Sequence, residues 1–162
     1  MNFRIAFLLA AGLLAAPTLS LAAQTAPPAL APPAAAAPSL GSPQALVTAL
    51  YEAVSAPPGT SHDWDRFRSL FAPKAQLVVR TAKGALRTMS VEEFVASASA
   101  NPEAFVEREL ASRMERWGHI AHSWSSYEGV IGDGATARTI RGVNSFQMAE
   151  IDGAWKVVTI FW

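Results

Sequence analysis

From His119 to the C-terminus, the sequence consists of long β-rich segments separated by glycine-containing turns. Gly132-Asp133-Gly134 is a turn sequence, and Asp152-Gly153 is typical of a two-residue hairpin turn. Strands are therefore predicted over residues 119–131, 135–151 and 155–162, in an antiparallel meander. Such an ending excludes an all-helical fold.

Three helix starts precede this meander. Ser42 followed by Pro43 indicates a capped first helix, Asp63 can cap a second, and Ser90-x-x-Glu93 is a capping box for a third. Residues 76–80 and 85–88 are predicted to form a short hairpin between the second and third helices. Helices followed by a block of antiparallel strands predict an α+β fold.

Residues 105–117 carry conflicting signals. Their Glu, Arg, Ala and Leu content favours a helix, whereas Gly118 and the β-rich segment after it favour a hairpin. The residues alone leave both alternatives open.

Residues 1–23 have the three parts of a secretory signal peptide. Arg4 precedes an apolar run, and Ser20-Leu21-Ala22 is typical of a cleavage site, with cleavage after Ala22 or Ala23. The alternative, an uncleaved anchor, needs about 20 apolar residues, and Pro17 interrupts the stretch. We therefore expect an exported protein, periplasmic or extracellular, with no membrane attachment after cleavage.

The Pro/Ala-rich segment 24–41 carries no charge and is predicted to be a disordered linker. The folded domain is accordingly placed at residues 42–162.

Charge and composition exclude several classes of function. Lys+Arg and Asp+Glu both number 13, so no basic surface for nucleic acid is expected. Cysteine is absent, which excludes disulfides, thiolate metal sites and a cysteine nucleophile. His62-Asp63-x-Asp65 could suggest a metal site. Because Asp63 is predicted to cap a helix and Asp65 lies on another face, we expect no metal and no cofactor.

Several motifs in this order and spacing resemble the nuclear transport factor 2-like superfamily, and in particular its SnoaL-like bacterial proteins of unassigned function. The resemblance covers residues 43–162 and rests on Asp63-Trp64-Asp65-Arg66-Phe67, Leu70-Phe71-Ala72-Pro73, Glu107-Arg108-Glu109-Leu110, Gly118-His119-Ile120-Ala121-His122, Tyr127-Glu128, Arg141-Gly142-Val143-Asn144-Ser145 and Trp155-Lys156-Val157-Val158.

The resemblance implies a cone: a curved antiparallel sheet wrapped around about three N-terminal helices, with an internal cavity. It also implies that residues 105–117 are mostly strand and that two copies pair through the sheet. Because this scaffold hosts isomerases, dehydratases, hydrolases, cyclases and non-catalytic binders, it does not settle the function.

Strand alternation predicts which side chains line the cavity. A three-residue turn at residues 132–134 and a two-residue turn at 152–153 pair His122 with Asn144 and place both on the cavity face. The other residues predicted on that face as ligand contacts are Trp124, Phe146, Thr159 and Phe161. This face is mostly apolar with a few polar groups, as ligand pockets are.

His122 is the predicted acid–base residue, with Asn144 orienting it or polarising a carbonyl. The alternative is a half-buried histidine with a satisfied hydrogen bond. Arg113 could bind an anionic group, or instead pair with Glu109 or Glu115. Tyr51 could point its hydroxyl into the cavity, or it could be a core tyrosine whose hydroxyl contacts solvent. Glu107, Glu109 and Glu115 are interpreted as a solvated strand edge.

One absence bears on catalysis. After the signal peptide, Asp occurs only at positions 63, 65, 133 and 152, and none is on a predicted strand. Cavity aspartates act as bases in the isomerase-like and cyclase-like members, so His122 or a Glu is the remaining candidate base.

Three hypotheses follow. The first is an exported protein that binds a small apolar molecule. The second is a cofactor-independent lyase, isomerase or hydrolase using His122. The third is an interaction module that docks another protein through its sheet.

A homodimer is also predicted. The last strand is apolar on both faces, so Val158, Ile160 and Trp162 are expected to pack against a second copy.

Overall fold

The computed structural model describes residues 40–100 and 103–162. The predicted signal peptide lies outside the described residues, as does the predicted linker apart from residues 40 and 41. Leu40, which lies in the predicted linker, packs against the core. Within the described ranges, the helices are too short or too polar to cross a lipid bilayer.

The helices begin where the capping residues predict. Ser42 accepts from the backbone N–H of Ala45 and Asp63 from that of Arg66, while Ser90 and Glu93 form the capping box. The second helix is short and ends before Leu70, which allows the chain to enter the first strand directly. The helices are α1 (Pro43–Val54), α2 (Trp64–Ser69) and α3 (Val91–Ser99).

The strands form one mixed sheet in the order β2-β1-β6-β5-β4-β3. The sheet was predicted to be antiparallel, but β6 runs parallel to β1 because α3 and the β3–β5 meander intervene between them. Residues 105–117 are strand, as the resemblance implied. The strands are β1 (Phe71–Arg80), β2 (Leu86–Ser90), β3 (Phe105–Trp117), β4 (Ile120–Ile131), β5 (Arg138–Ile151) and β6 (Ala154–Phe161).

The helices cover one face of this sheet, and the core lies between them. The apolar stripe of α1, including Leu46 and Leu50, packs against the sheet around Phe146 and Trp155. Burying aromatic side chains of this size removes roughly 150–250 Å² each from water, which stabilises a domain that has no disulfide. The opposite face of the sheet, here called the outer face, is not covered by any described helix.

Two local features set which side chains face the core. A six-residue connection containing a 3₁₀ turn (Gly134–Thr136) joins β4 to β5, where a three-residue turn was predicted. The connection is three residues longer than predicted. Because three is an odd number, the pairing register shifts so that every side chain of β4 lies on the face opposite to the predicted one. A β-bulge between Val157 and Thr159 then reverses the faces of the last residues of β6.

Candidate ligand-binding site

A cavity of about 150 Å³ lies between the helices and the inner face of the sheet. Its wall is mostly apolar, with Glu107 and Asn144 as polar exceptions beside the tyrosine hydroxyls. A closed apolar cavity of about 150 Å³ holds a molecule the size of benzene. The aromatic residues among the described lining are Tyr51, Phe67, Phe71, Phe94, Phe105, Tyr127, Phe146 and Trp162.

The polar groups of this wall form one hydrogen-bonded cluster. Asn144 donates from Nδ2 to the hydroxyl of Tyr51 at 3.1 Å and approaches a carboxylate oxygen of Glu107 at 3.4 Å. The Tyr51 hydroxyl lies 2.7 Å from Ser125 Oγ, and Ser125 donates to Glu109 at 2.6 Å. We call these five residues the polar cluster. It connects the cavity to the partly exposed carboxylate of Glu109.

The donor and acceptor roles in the polar cluster follow from the hydrogen bond that Ser125 donates to Glu109. A serine hydroxyl has one hydrogen, and the hydrogen of Ser125 is directed to Glu109. Tyr51 therefore donates to Ser125 and accepts from Asn144. The tyrosine hydroxyl and the amide N–H are thus already engaged, which leaves the Glu107 carboxylate as the ionisable group facing the cavity.

Burial sets the ionisation of these groups. It raises the pKa of Glu107 from 4.5 to about 7, against a lowering by the hydrogen bond from Asn144. It also raises the pKa of Tyr51 to about 12 and the pKa of Tyr127, and the neighbouring Glu107 carboxylate adds to both shifts. Near neutral pH, Glu107 consequently exchanges a proton while both tyrosines stay neutral.

The end of α1 fixes the backbone of β3 at Glu107. The N–H of Glu107 donates to Ser55 Oγ at 2.9 Å, and Ser55 donates to the carbonyl oxygen of Tyr51 at 2.7 Å. Ala56 and Phe105 exchange two backbone hydrogen bonds, at 2.6 and 3.0 Å. Because these contacts join the helix to the strand, they hold Tyr51 and Glu107 on facing walls of one cavity.

Gly142 makes room for the Tyr127 ring in the cavity wall. The two residues are paired across β4 and β5, and a Cβ at position 142 would lie 2.6 Å from the tyrosine hydroxyl. Only the absence of a side chain allows the ring to lie over this strand.

Three of the predicted site residues line the cavity: Tyr51, Asn144 and Phe146. Tyr51 and Asn144 are hydrogen-bonded to each other, and the ring of Phe146 meets that of Tyr51 edge-on at 6.2 Å. The pairing predicted between His122 and Asn144 is wrong, because Asn144 lies opposite Ser125.

The other predicted residues lie on the outer face. His122 and Trp124 are there because the longer β4–β5 connection shifts the register, and His122 contacts Ser145 and the Trp124 ring. Thr159 and Phe161 are there because of the bulge in β6. These four positions were predicted in the cavity, and that placement is wrong.

Arg113 does not reach the cavity either. It pairs in register with Trp124, and its guanidinium forms an ion pair with Glu115 at 2.8 Å. This is the alternative in which the arginine pairs with a neighbouring glutamate.

Among the cavity residues that the prediction missed are Glu107, Ile160 and Trp162. Glu107 was interpreted as part of a solvated strand edge. β3 is indeed an edge strand, but α1 covers its inner face. Phe105 and Glu107 share that face, and this alternation was the signal in the sequence that could have placed the carboxylate inside.

The His62-Asp63-x-Asp65 motif performs structural roles. Asp63 caps α2, Asp65 pairs with Arg68, and the His62 ring stacks on Trp64. Over residues 40–100 and 103–162, no group of three or more His, Asp or Glu side chains is placed to hold a metal ion.

Comparison with protein-family models and with curated proteins finds no match to this sequence. Solved structures do match. A Novosphingobium aromaticivorans protein, provisionally described as an aromatic ring hydroxylase, is 21% identical with a TM-score of 0.59, over 73% of this chain and 82% of that one.

A nuclear transport factor 2-like protein of unknown function from Pseudomonas putida is 12% identical with a TM-score of 0.58, over 74% of this chain and 81% of that one. The CaMKII association domain from C. elegans is 16% identical with a TM-score of 0.53, over 73% and 86%. At these identities the likeness concerns the fold. The chain therefore has the nuclear transport factor 2-like fold, an α+β cone, which confirms the fold that the resemblance implied.

Proposed function

We propose that this protein binds a small, largely apolar molecule in the cavity, with its polar group against Glu107 and Asn144. The observation that carries this proposal is one carboxylate held among aromatic side chains in a cavity of about 150 Å³. Ligand sites commonly combine apolar walls with a few fixed polar groups. The hydrogen bonds of the polar cluster fix these groups before a ligand arrives.

Toluene and benzyl alcohol, which have the size of the cavity, test the proposal in calorimetry and thermal unfolding. Binding of either raises the melting temperature with concentration. Ile140→Trp, in the lining of the cavity, should abolish that rise by filling the space. Val143→Trp, on the outer face of the same strand, is the matched control and should retain it. If neither probe shifts the unmodified protein, the proposal fails.

Acid–base catalysis without a cofactor is the second candidate. His122 cannot be the base of this cavity, since it lies on the outer face. Glu107 supports the candidate, because a partly buried carboxylate with a pKa of about 7 can accept and return a proton near neutral pH. The activity would be that of a lyase, isomerase or hydrolase.

Exchange of the α-hydrogens of cyclohexanone for deuterium, followed by NMR, detects such a base without knowledge of the substrate. Enzyme-dependent exchange that rises through pH 7 and disappears in Glu107→Gln would support catalysis. Exchange equal to that of buffer alone would contradict it.

Export is proposed on the sequence of residues 1–23. Edman sequencing of the protein from the cell envelope or medium should begin at residue 23 or 24. A sequence that begins at Met1 would contradict the proposal.

We further propose that the outer face binds a second copy of the chain. Trp124 and Phe161 flank Ser145 in adjacent strands and are 52% and 40% exposed. The Arg113–Glu115 ion pair beside Trp124 carries both signs of charge, which suits a two-fold contact in which a patch meets itself. Ile160 and Trp162, predicted to form this contact, lie inside.

A further inference from the structure

The charge that the described cavity lining can carry near neutral pH is negative. Glu107 lines the cavity, and among the described lining residues there is no lysine, arginine or histidine. The nearest base on its own strand, Arg108, faces outward and pairs with Glu128 at 2.7 Å. The hydrogen-bond partner of the Glu107 carboxylate is the neutral amide of Asn144.

The groups that face Glu107 from neighbouring elements do not supply a positive charge. They are Tyr51 from α1, Tyr127 from β4 and Asn144 from β5, with the second carboxylate, Glu109, on the same strand. Both tyrosines stay neutral near neutral pH, because burial raises their pKa values. Among the described lining residues, an ionised Glu107 consequently has no cationic side chain as its partner.

From the composition of this lining we propose that the cavity selects a small ligand in which a protonated amine is attached to an apolar group about the size of one ring. The proposal rests on the proposed function and specifies its ligand class. A buried carboxylate is costly unless it is paired, and a ligand ammonium supplies the missing partner. Aromatic side chains surround the remainder of the ligand, and they are the apolar groups that best accommodate a cation. A ligand carboxylate or phosphate would instead meet Glu107 with like charge.

This selection also predicts proton release. At pH 7 about half of the Glu107 carboxyls are protonated, since the pKa is about 7. An ammonium binds the ionised form, so binding should release about half a proton per ligand. A neutral ligand that accepts a hydrogen bond from protonated Glu107 would instead cause proton uptake.

Benzylamine, benzyl alcohol and benzoate provide a test, because they differ in charge and little in size. Calorimetry at pH 8 should show benzylamine binding at least about tenfold more tightly than benzyl alcohol, and benzoate not at all. At pH 5.5 the preference for benzylamine should shrink severalfold. Titrations at pH 7 in buffers of different ionisation enthalpy measure the protons released.

Glu107→Gln should remove the preference for benzylamine and retain benzyl alcohol binding. Glu103→Gln, an exposed glutamate outside the cavity lining, should leave the preference unchanged. Equal or tighter binding of benzyl alcohol by the unmodified protein would overturn the amine proposal and leave cavity binding intact. Binding of none of the three compounds, together with no response to toluene, would overturn both.

Discussion

Asn144 donates from its amide nitrogen to the hydroxyl of Tyr51 at 3.1 Å, although 93 positions separate the two residues in the sequence. This contact joins α1 to β5 across the cavity. It belongs to a cluster in which each hydroxyl has a defined donor and acceptor role, ending at Glu109 on one side and Glu107 on the other. The polar groups of the cavity wall are therefore held in place by contacts within the protein.

The pKa of Glu107 predicts how stability depends on pH. The unfolded chain releases this proton near pH 4.5 and the folded protein near pH 7. The folded state binds more protons between these values, so this residue lowers the free energy of unfolding as pH rises from about 4.5 to about 7. At pH 8 the loss is on the order of 3 kcal/mol. Glu107→Gln should recover much of it.

Urea unfolding at pH 5 and pH 8 measures this difference. The Gln variant should resemble the unmodified protein at pH 5 and be more stable at pH 8. Glu103→Gln serves as the control, because that side chain is 60% exposed and pairs with Arg138. If the free energy of unfolding of the Gln variant differed from that of the unmodified protein by the same amount at both pH values, Glu107 would not be buried as described.

Gly142→Ala should disturb the cavity through Tyr127. The new Cβ would lie 2.6 Å from the hydroxyl oxygen and 2.7 Å from the adjoining ring carbon, so the ring must move. Overpacking of this kind costs about 1–3 kcal/mol. Urea unfolding measures the cost, and weaker toluene binding reports the displaced wall. Gly41→Ala is the control, since nothing lies within 4 Å of its Cβ; equal stability of both variants would contradict the close approach.

Features that depend on local chemistry were predictable from the sequence. The helix starts at Ser42, Asp63 and Ser90 depend on side chains that bond to backbone N–H groups three residues away. The side chains of β5 that face the core, including Asn144 and Phe146, follow from strand alternation. Both kinds of signal act within a few residues, so the rest of the fold does not alter them.

The site itself was only partly predictable. The face of the sheet on which the side chains of a strand lie depends on whether the connection before it has an odd or an even number of residues. Residues 132–134 signal a turn, but nothing in residues 135–137 shows that the connection continues to Arg138. The bulge near Val158 has no local signature either, since the surrounding run is apolar on both sides. Alternation places Glu107 on the same face as Phe105, but its burial requires that α1 cover β3, and that is a tertiary contact.

The bulge in β6 supplies the last prediction, because it determines which of the residues after Val158 face the core. Ile160 pairs with Phe146, is 9% exposed and lines the cavity, whereas Phe161 pairs with Ser145 on the outer face and is 40% exposed. Ile160→Asp buries an unpaired carboxylate in the core and should cost more than about 4 kcal/mol, enough to unfold a domain of this size. Phe161→Asp meets solvent in a single chain and should leave the fold intact.

Sedimentation and circular dichroism of the two variants separate fold from assembly. The unmodified protein should sediment as a dimer at micromolar concentration, and Phe161→Asp as a folded monomer, because the charge would be buried against the second copy. Thr159→Asp, on the same outer face but already polar, should weaken the dimer less. A folded Ile160→Asp protein alongside an unfolded Phe161→Asp protein would contradict the bulge. An unmodified protein that sediments as a monomer would contradict the dimer and leave the bulge standing, since the fold of each variant is measured independently.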